Sequence, residues 1–311
     1  MTKREIIDRI DKLKKERGIE IFSHFYIEPE VQDIADYIGD SLELSKMAAT
    51  TNAHTILFCG VRFMAETASI ISPTKKILIP DITAGCSLAD SVSPQDIIKW
   101  KEENPTGVVV SYVNTTAEVK AHTHICCTSS NAAQVIMSIP KEKKILFGPD
   151  KNLAAYIKLA TGREMDIWQG ECIVHRHFTV KAVEGKMELY PKAPVLIHPE
   201  SSCSHHPSIV NSSRTHILST SGMIRKAGEL EADTFIVVTE PGVIYQMELL
   251  YPNKKFIAVD SNNLCRDMRK VTLEKVLYSL EKEQYVVKVP EEIREKAYPS
   301  IARMLPISAP K

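Results

Sequence analysis

No stretch of the chain approaches the ~18 consecutive apolar residues that a helix needs to span a bilayer, and no charged start leads into an apolar segment with a cleavage site. Neither sign of charge prevails. Lys and Arg number 39 and Asp and Glu 39, so no basic field draws the chain to nucleic acid or anionic lipid. The dense cysteine spacing of a disulfide scaffold is also missing. Seven cysteines, an odd number, are scattered as Cys59, Cys86, Cys126, Cys127, Cys172, Cys203 and Cys265, and reduced thiols are expected. These absences leave a globular, cytoplasmic protein that acts on small molecules, with no nucleic-acid and no membrane partner. Its 311 residues, 44% hydrophobic, can bury a substantial core and allow two or three domains.

The basic N-terminus reads as an amphipathic helix rather than a targeting segment. Thr2 and Glu5 fit a capping box, Ile6, Ile7, Ile10 and Leu13 share a face, and Gly18 is the stop. Beyond it, strand-like runs alternate with helical patterns, the mark of a parallel α/β architecture. The alternation comes in three copies. Each opens with an apolar run ending on polar residues: IEIFSHFY with His24 and Tyr26, GVVVSYVN with Tyr112 and Asn114, APVLIHPE with His198 and Glu200. A hydroxyl-rich helix start follows (GDSLELSKMA, TSSNAAQVIM, STSGMIRKAG), then a second strand (TILFCG, KILFGPD, TFIVVTEPG), and finally a cysteine. Cys86, Cys172 and Cys265 trail His24, Tyr112 and His198 by 62, 60 and 67 residues.

Three similar α/β units with parallel sheets around a pseudo-threefold axis would bring these loops to one central cleft, because ligands collect at the carboxyl ends of parallel strands. The units are expected at residues 1–104, 105–190 and 191–311, with termini that can exchange between them. Three thiolates suit an iron–sulfur cluster with one iron left open as a Lewis acid. Zinc on Cys172, His175 and His177 is the competing reading, but it leaves the other two cysteines without a purpose. Cys59 fits a strand core, and the adjacent Cys126 and Cys127 fit strand packing. Ser41, Ser129 and the cluster Ser219 to Ser221 stand where hydroxyls and helix-start N–H groups hold carboxylates or phosphate. His24, Tyr26, Tyr112, His198 and Glu200 can act as acids or bases.

Together, the segments HFYIEPEVQDIADYIGDSLELS, FCGVRFMAETASIISPTKKILIPDITAGCSLADS, SYVNTTAEVKA, WQGECIVH, LIHPE, STSGM and TLEKVLYSLE resemble the quinolinate synthase family over nearly the whole chain. The resemblance implies a transferase of NAD biosynthesis that condenses iminoaspartate with dihydroxyacetone phosphate to quinolinate, with a functional link to the enzyme supplying iminoaspartate. It implies a [4Fe–4S] cluster on Cys86, Cys172 and Cys265. It places His24, Ser41, Tyr112, Asn114, Ser129, His175, His198, Glu200 and Thr220 at the substrate, with Tyr26, His198 and Glu200 catalytic. Between Glu200 and the STSG motif this chain is about five residues longer than the family pattern, so Thr215 competes with Thr220. The extra segment, with Cys203, His205 and His206, is expected to form a solvated loop. Arg266 and Asp267 after Cys265 alter loop shape more than ligation. A hydro-lyase with an open-iron cluster and an iron–sulfur sensor are the alternatives from other classes.

Overall fold

The computed structural model describes residues 1–307. Its framework is three four-stranded sheets, parallel throughout. The first contains β1 (Ile19–His24), β2 (Tyr37–Gly39), β3 (Thr55–Cys59) and β4 (Lys76–Leu78) in the order β2-β1-β3-β4. The second contains β5 (Val108–Tyr112), β6 (Ile125–Cys127), β7 (Ile145–Gly148) and β8 (Asp166–Ile167), ordered β6-β5-β7-β8. The third contains β9 (Val195–Ile197), β10 (Thr215–Ile217), β11 (Thr234–Val238) and β12 (Lys255–Ala258), ordered β10-β9-β11-β12. Chain direction along each sheet reverses between its first and third strands, so each unit has a switch point where strand-end side chains border an open crevice.

The strands are nearly continuous runs of Ile, Val, Leu and Phe because helices cover both faces of the sheets. Phe22, Phe58, Phe147 and Phe235 are fully buried, each stabilising the fold by roughly 1.5–3 kcal/mol relative to exposure. Helix Lys3–Arg17 begins with the Thr2/Glu5 capping box and ends at Gly18, whose left-handed φ of 60° explains the glycine. Beyond the third sheet the chain returns to the others. Segment 285–287 bonds along the edge of the first sheet, Tyr285 N–H to Ile79 O at 3.0 Å and Val287 N–H to Ile77 O at 2.8 Å. Helix Glu291–Met304 then lies on the second unit, where Ser300 Oγ reaches Lys120 O at 3.2 Å and Cys126 Sγ at 3.4 Å.

The segment expected to be a solvated loop is in part core. Cys203, Ser201, Ser204 and Ile209 are buried, and Cys203 packs with Phe178, Val195 and Ile197 of the third unit. Ser204 Oγ donates to Pro199 O and Ser201 Oγ to Val238 O. Backbone polar groups in such a segment need partners when buried, and these serines supply them. His206 is exposed and caps the short helix Pro207–Val210, and Pro207, Ser208, Asn211 and Ser213 are exposed with it, so the outer part of the segment is solvated as expected.

Candidate active site

One cleft brings together His24, Tyr26, Ser41, Tyr112, Asn114, Ser129, Cys86, Cys172, His175, His198, Glu200, Thr220 and Cys265, whereas Ser219 and Ser221 on either side of Thr220 do not line it. Strand register explains the placement. His24 pairs with Gly39 and Tyr112 with Cys127, and Ser41 and Ser129 lie two residues beyond those partners; in the third unit Ile197 pairs with Ile217, so one further step sets His198 opposite Leu218, and Thr220 lies two beyond it. Thr220 is therefore the structural counterpart of Ser41 and Ser129. Thr215 sits at the start of β10, paired with Val195 and away from the cleft. Asp40, Thr128, Asp267 and Glu240 also line the cleft. Asp40 caps helix Ser41–Thr50 and accepts a 3.0 Å bond from Ser130 Oγ of the second unit.

The three cysteine loops share one local structure. A 3₁₀ turn starts three residues after each cysteine, at Ala89, His175 and Met268. Each cysteine carbonyl accepts from the N–H four residues on: Asp90 at 3.1 Å, Arg176 at 3.0 Å and Arg269 at 3.0 Å. Backbone N–H groups at the turn starts point at each sulfur. The loops also hold one another. Trp168 Nε1 donates to Ser91 O at 2.9 Å, Asn263 Nδ2 to Val174 O at 2.8 Å and Lys270 Nζ to Thr83 O at 2.6 Å. Cys59, Cys126, Cys127 and Cys203 are fully buried in the core, whereas Cys86, Cys172 and Cys265 are partly open to the cleft.

As bare thiols the three resist ionisation. Burial pushes Cys86 up to about 12 and Cys265 up to about 11, and Cys172 well above the usual range, with neighbouring negative groups adding to the effect. A cationic metal group offsets both the burial and the neighbouring negative charge, since a coordinating thiol is deprotonated outright. The donor set therefore fits an iron–sulfur cluster: three sulfurs on one cavity, N–H donors aimed at them, and apolar Val61, Phe63, Leu88, Ile173, Val174 and Met268 around them. The zinc trio with His177 does not assemble, because His177 is exposed on the outer side of its turn. Cys172, His175 and Glu200 do converge, with ligand atoms within 4.8 Å of one another, and could hold a metal ion.

Glu200 and His175 are both buried and meet at 2.9 Å through His175 Nδ1, which also lies 3.3 Å from Cys172 Sγ. His175 Nε2 is 2.9 Å from Thr239 Oγ1, Thr239 Oγ1 is 2.7 Å from the Tyr26 hydroxyl, and that hydroxyl is 3.0 Å from Thr220 Oγ1. A continuous hydrogen-bonded chain thus runs from Thr220 through Tyr26, Thr239 and His175 to Glu200. Burial alone would raise the Glu200 pKa, but the adjoining His175 and the hydrogen bond from the Tyr112 hydroxyl outweigh it and hold the carboxyl below its ordinary range. Tyr26 and Tyr112 are pushed well above theirs, chiefly by burial. Thr239, fully buried behind the cleft, escaped the sequence reading; its signal was a polar TE pair ending the apolar run of β11.

His24 and His198 are alike. Nδ1 of each accepts the N–H of the residue two ahead, Tyr26 at 3.2 Å and Glu200 at 3.4 Å, which places the proton on Nε2. His198 Nε2 then donates to Ser129 Oγ at 3.2 Å. Burial lowers His24 to about 4 and His198 to about 3, so both are neutral at pH 7. Their unfolded counterparts titrate near 6.5, so the unfolded chain takes up protons first. The stability they contribute is complete above pH 6.5 and is lost as pH falls towards 4 and then 3. The thermal midpoint is expected to fall between pH 6.5 and 4.5, and the fall to be shallower in His24→Gln/His198→Gln. Equal slopes in the two proteins would contradict the assignment.

A family model described as Quinolinate synthetase A protein matches residues 8–306. The chain belongs to that family. Among its relatives, the quinolinate synthase of Pyrobaculum aerophilum is 47% identical over 98% of this chain and 99% of its own length. That of Thermus thermophilus is 44% identical over 95% of each chain, and that of Gloeothece citriformis 45% identical over 98% of this chain and 94% of its own. The family model begins within helix Lys3–Arg17 and ends at the last described turn, so it takes in all three sheets and all three cysteine loops. Membership in the quinolinate synthetase A family makes the chain an enzyme of the quinolinate synthase kind. Among the described residues no helix is long and apolar enough to cross a membrane.

Proposed function

We propose that this enzyme condenses iminoaspartate with dihydroxyacetone phosphate to give quinolinate, phosphate and water in NAD biosynthesis, using a [4Fe–4S] cluster held by Cys86, Cys172 and Cys265. The observation that carries the reading is the convergence of three equivalent cysteine loops on a cleft also lined by Ser41, Ser129, Thr220, Tyr26 and Glu200. When bound, the cluster supplies a Lewis acid at the iron that no cysteine ligates.

The chain's own residues do the rest. Ser41, Ser129 and Thr220, at or beside helix starts, hold carboxylate and phosphate oxygens. Neutral His24 directs its Nε2–H to a substrate oxygen, neutral His198 uses its Nε2–H to orient the Ser129 hydroxyl towards the substrate, and the Asn114 amide fixes orientation. Tyr26 takes and returns protons at the reacting carbons. Its hydroxyl donates to Thr239, Thr239 to His175 Nε2, and His175 Nδ1–H to the Glu200 carboxylate, so a proton leaving Tyr26 ends on Glu200 without crossing solvent. Glu200, kept ionised, is the terminal base for enolisation, and the reverse transfer protonates a departing hydroxyl. Apolar walls exclude water from the imine, which would otherwise hydrolyse.

Assay of the anaerobically prepared enzyme separates this reading from a hydro-lyase. Quinolinate is expected only when iminoaspartate and dihydroxyacetone phosphate are both present. Dehydration of a hydroxy acid with no requirement for the triose phosphate would overturn it.

A further inference from the structure

Cavity residues Tyr26 and Asn114 are held by the same device in two units. In the first unit Gln32, the last residue of the short helix Pro29–Gln32, is buried, and its Nε2 donates to Phe25 O at 3.0 Å and Ile27 O at 2.7 Å. These carbonyls flank Tyr26. In the second unit Lys120, the last residue of helix Ala117–Lys120, is fully buried, and its Nζ donates to Val113 O at 2.8 Å and to Thr115 O. These carbonyls flank Asn114. Each clamp stands six residues after the residue it brackets and eight after the strand-end residue, His24 or Tyr112.

The cost of the arrangement argues for a purpose. Among the described residues Lys120 pairs with no carboxylate, its ammonium meeting only the two carbonyls and, at 5.6 Å, the ring of cleft-lining Phe63. Burying an ammonium without a counter-charge is expensive. Gln32 leaves its own Oε1 buried and without a partner. What the two gain is a fixed backbone on either side of one residue, and that residue is at the cleft in both units. Asn114 Oδ1 is itself buried and unpartnered, an acceptor left for a ligand's donor. The third unit differs. Ser204 Oγ grips Pro199 O on one side of Glu200, and Asn152 Nδ2 of the second unit takes the Glu200 carbonyl at 3.1 Å.

We propose that Gln32 and Lys120 are repeat-equivalent positioning residues that aim Tyr26 and Asn114 at the substrate by clamping the carbonyls around them. The proposal rests on the reaction assigned above for its kinetic readout and on geometry alone for its structural one. Tyr26 serves proton transfer and Asn114 serves binding, so the two clamps act on different constants.

Double-mutant cycles test this. Lys120→Met is expected to raise KM about tenfold with kcat within twofold, and to add less than twofold in an Asn114→Ala background. Gln32→Leu is expected to lower kcat about tenfold and to add less than twofold in a Tyr26→Phe background. Because the first unit uses an amide for the same task, Lys120→Gln is expected to restore KM to within threefold of the parent enzyme. Losses that simply add in the cycles, or track the thermal midpoint rather than the bracketed residue, would overturn the proposal. Crystal structures of Lys120→Met and Gln32→Leu decide independently of turnover. Displaced Asn114 and Tyr26 support the clamps, and unmoved ones refute them even if the parent enzyme makes no quinolinate, which would instead refute the assigned reaction.

Discussion

Replacing any one of Cys86, Cys172 and Cys265 by alanine is expected to strip bound iron and sulfide from the protein and to lower quinolinate formation by more than about a hundredfold. Groups that merely support a metal ligand cost 10–100-fold when mutated, and a ligand itself costs more. The expectation is uniform because the loops are. All three sulfurs face one cleft, each precedes a 3₁₀ turn by three residues, and each cysteine carbonyl closes the same bond to the residue four ahead. Cys203→Ala is the control. Its thiol is fully buried in the core of the third unit and does not line the cleft, so its removal costs about 1 kcal/mol of stability while iron content and turnover stay near the parent values. Iron content is read by colorimetric assay and turnover by quinolinate formation. A single cysteine whose loss left both intact would break the equivalence.

Glu200→Gln is expected to reduce kcat by roughly 10²–10⁴-fold with a smaller change in KM, the range for removing a positioned general base. The amide keeps the shape of the carboxylate and can still meet His175 and Tyr112, but it no longer accepts the proton that arrives through His175. Thr239→Val makes the complementary cut. It removes the hydroxyl between Tyr26 and His175, 2.7 Å from one and 2.9 Å from the other, without touching the cleft. A kcat loss of about 10–100-fold is expected there, and Glu200→Gln with Thr239→Val together are expected to fall little below Glu200→Gln alone, because both interrupt one path. Steady-state kinetics of the two single variants and the double variant checks this. Multiplying losses would place Glu200 and Thr239 on separate paths.

Much of this was readable before any coordinates, for a reason the sheets make plain. A parallel α/β unit puts its chemistry at strand ends, so the polar residues that close IEIFSH and VVVSY and the His198 that follows VLI, together with the cysteines closing each unit, are displaced by nearly constant intervals in sequence. Ser41 and Ser129 were visible through the same regularity. Thr220 was ambiguous because the added segment after Glu200 shifts the count, and only the pairing of β9 with β10 restores it. That segment looked solvated from its serines and histidines, yet those serines bond to buried carbonyls. Thr239, Gln32 and Lys120 stayed hidden because their work is done through contacts that composition does not announce. Tyr26 and Thr239 lie 213 residues apart, and a buried lysine looks in sequence like any surface one. The return of helix Glu291–Met304 to the second unit is likewise a matter of tertiary packing rather than pattern.

The central claim is that three equivalent cysteines hold an iron–sulfur cluster on the same cleft as the Glu200 relay. Iron and acid-labile sulfide counted on the anaerobically purified protein test it most directly. The account predicts about four of each per chain, both lost in Cys86→Ala, Cys172→Ala and Cys265→Ala. A colourless protein with tightly bound zinc, no sulfide and undiminished quinolinate formation would contradict it.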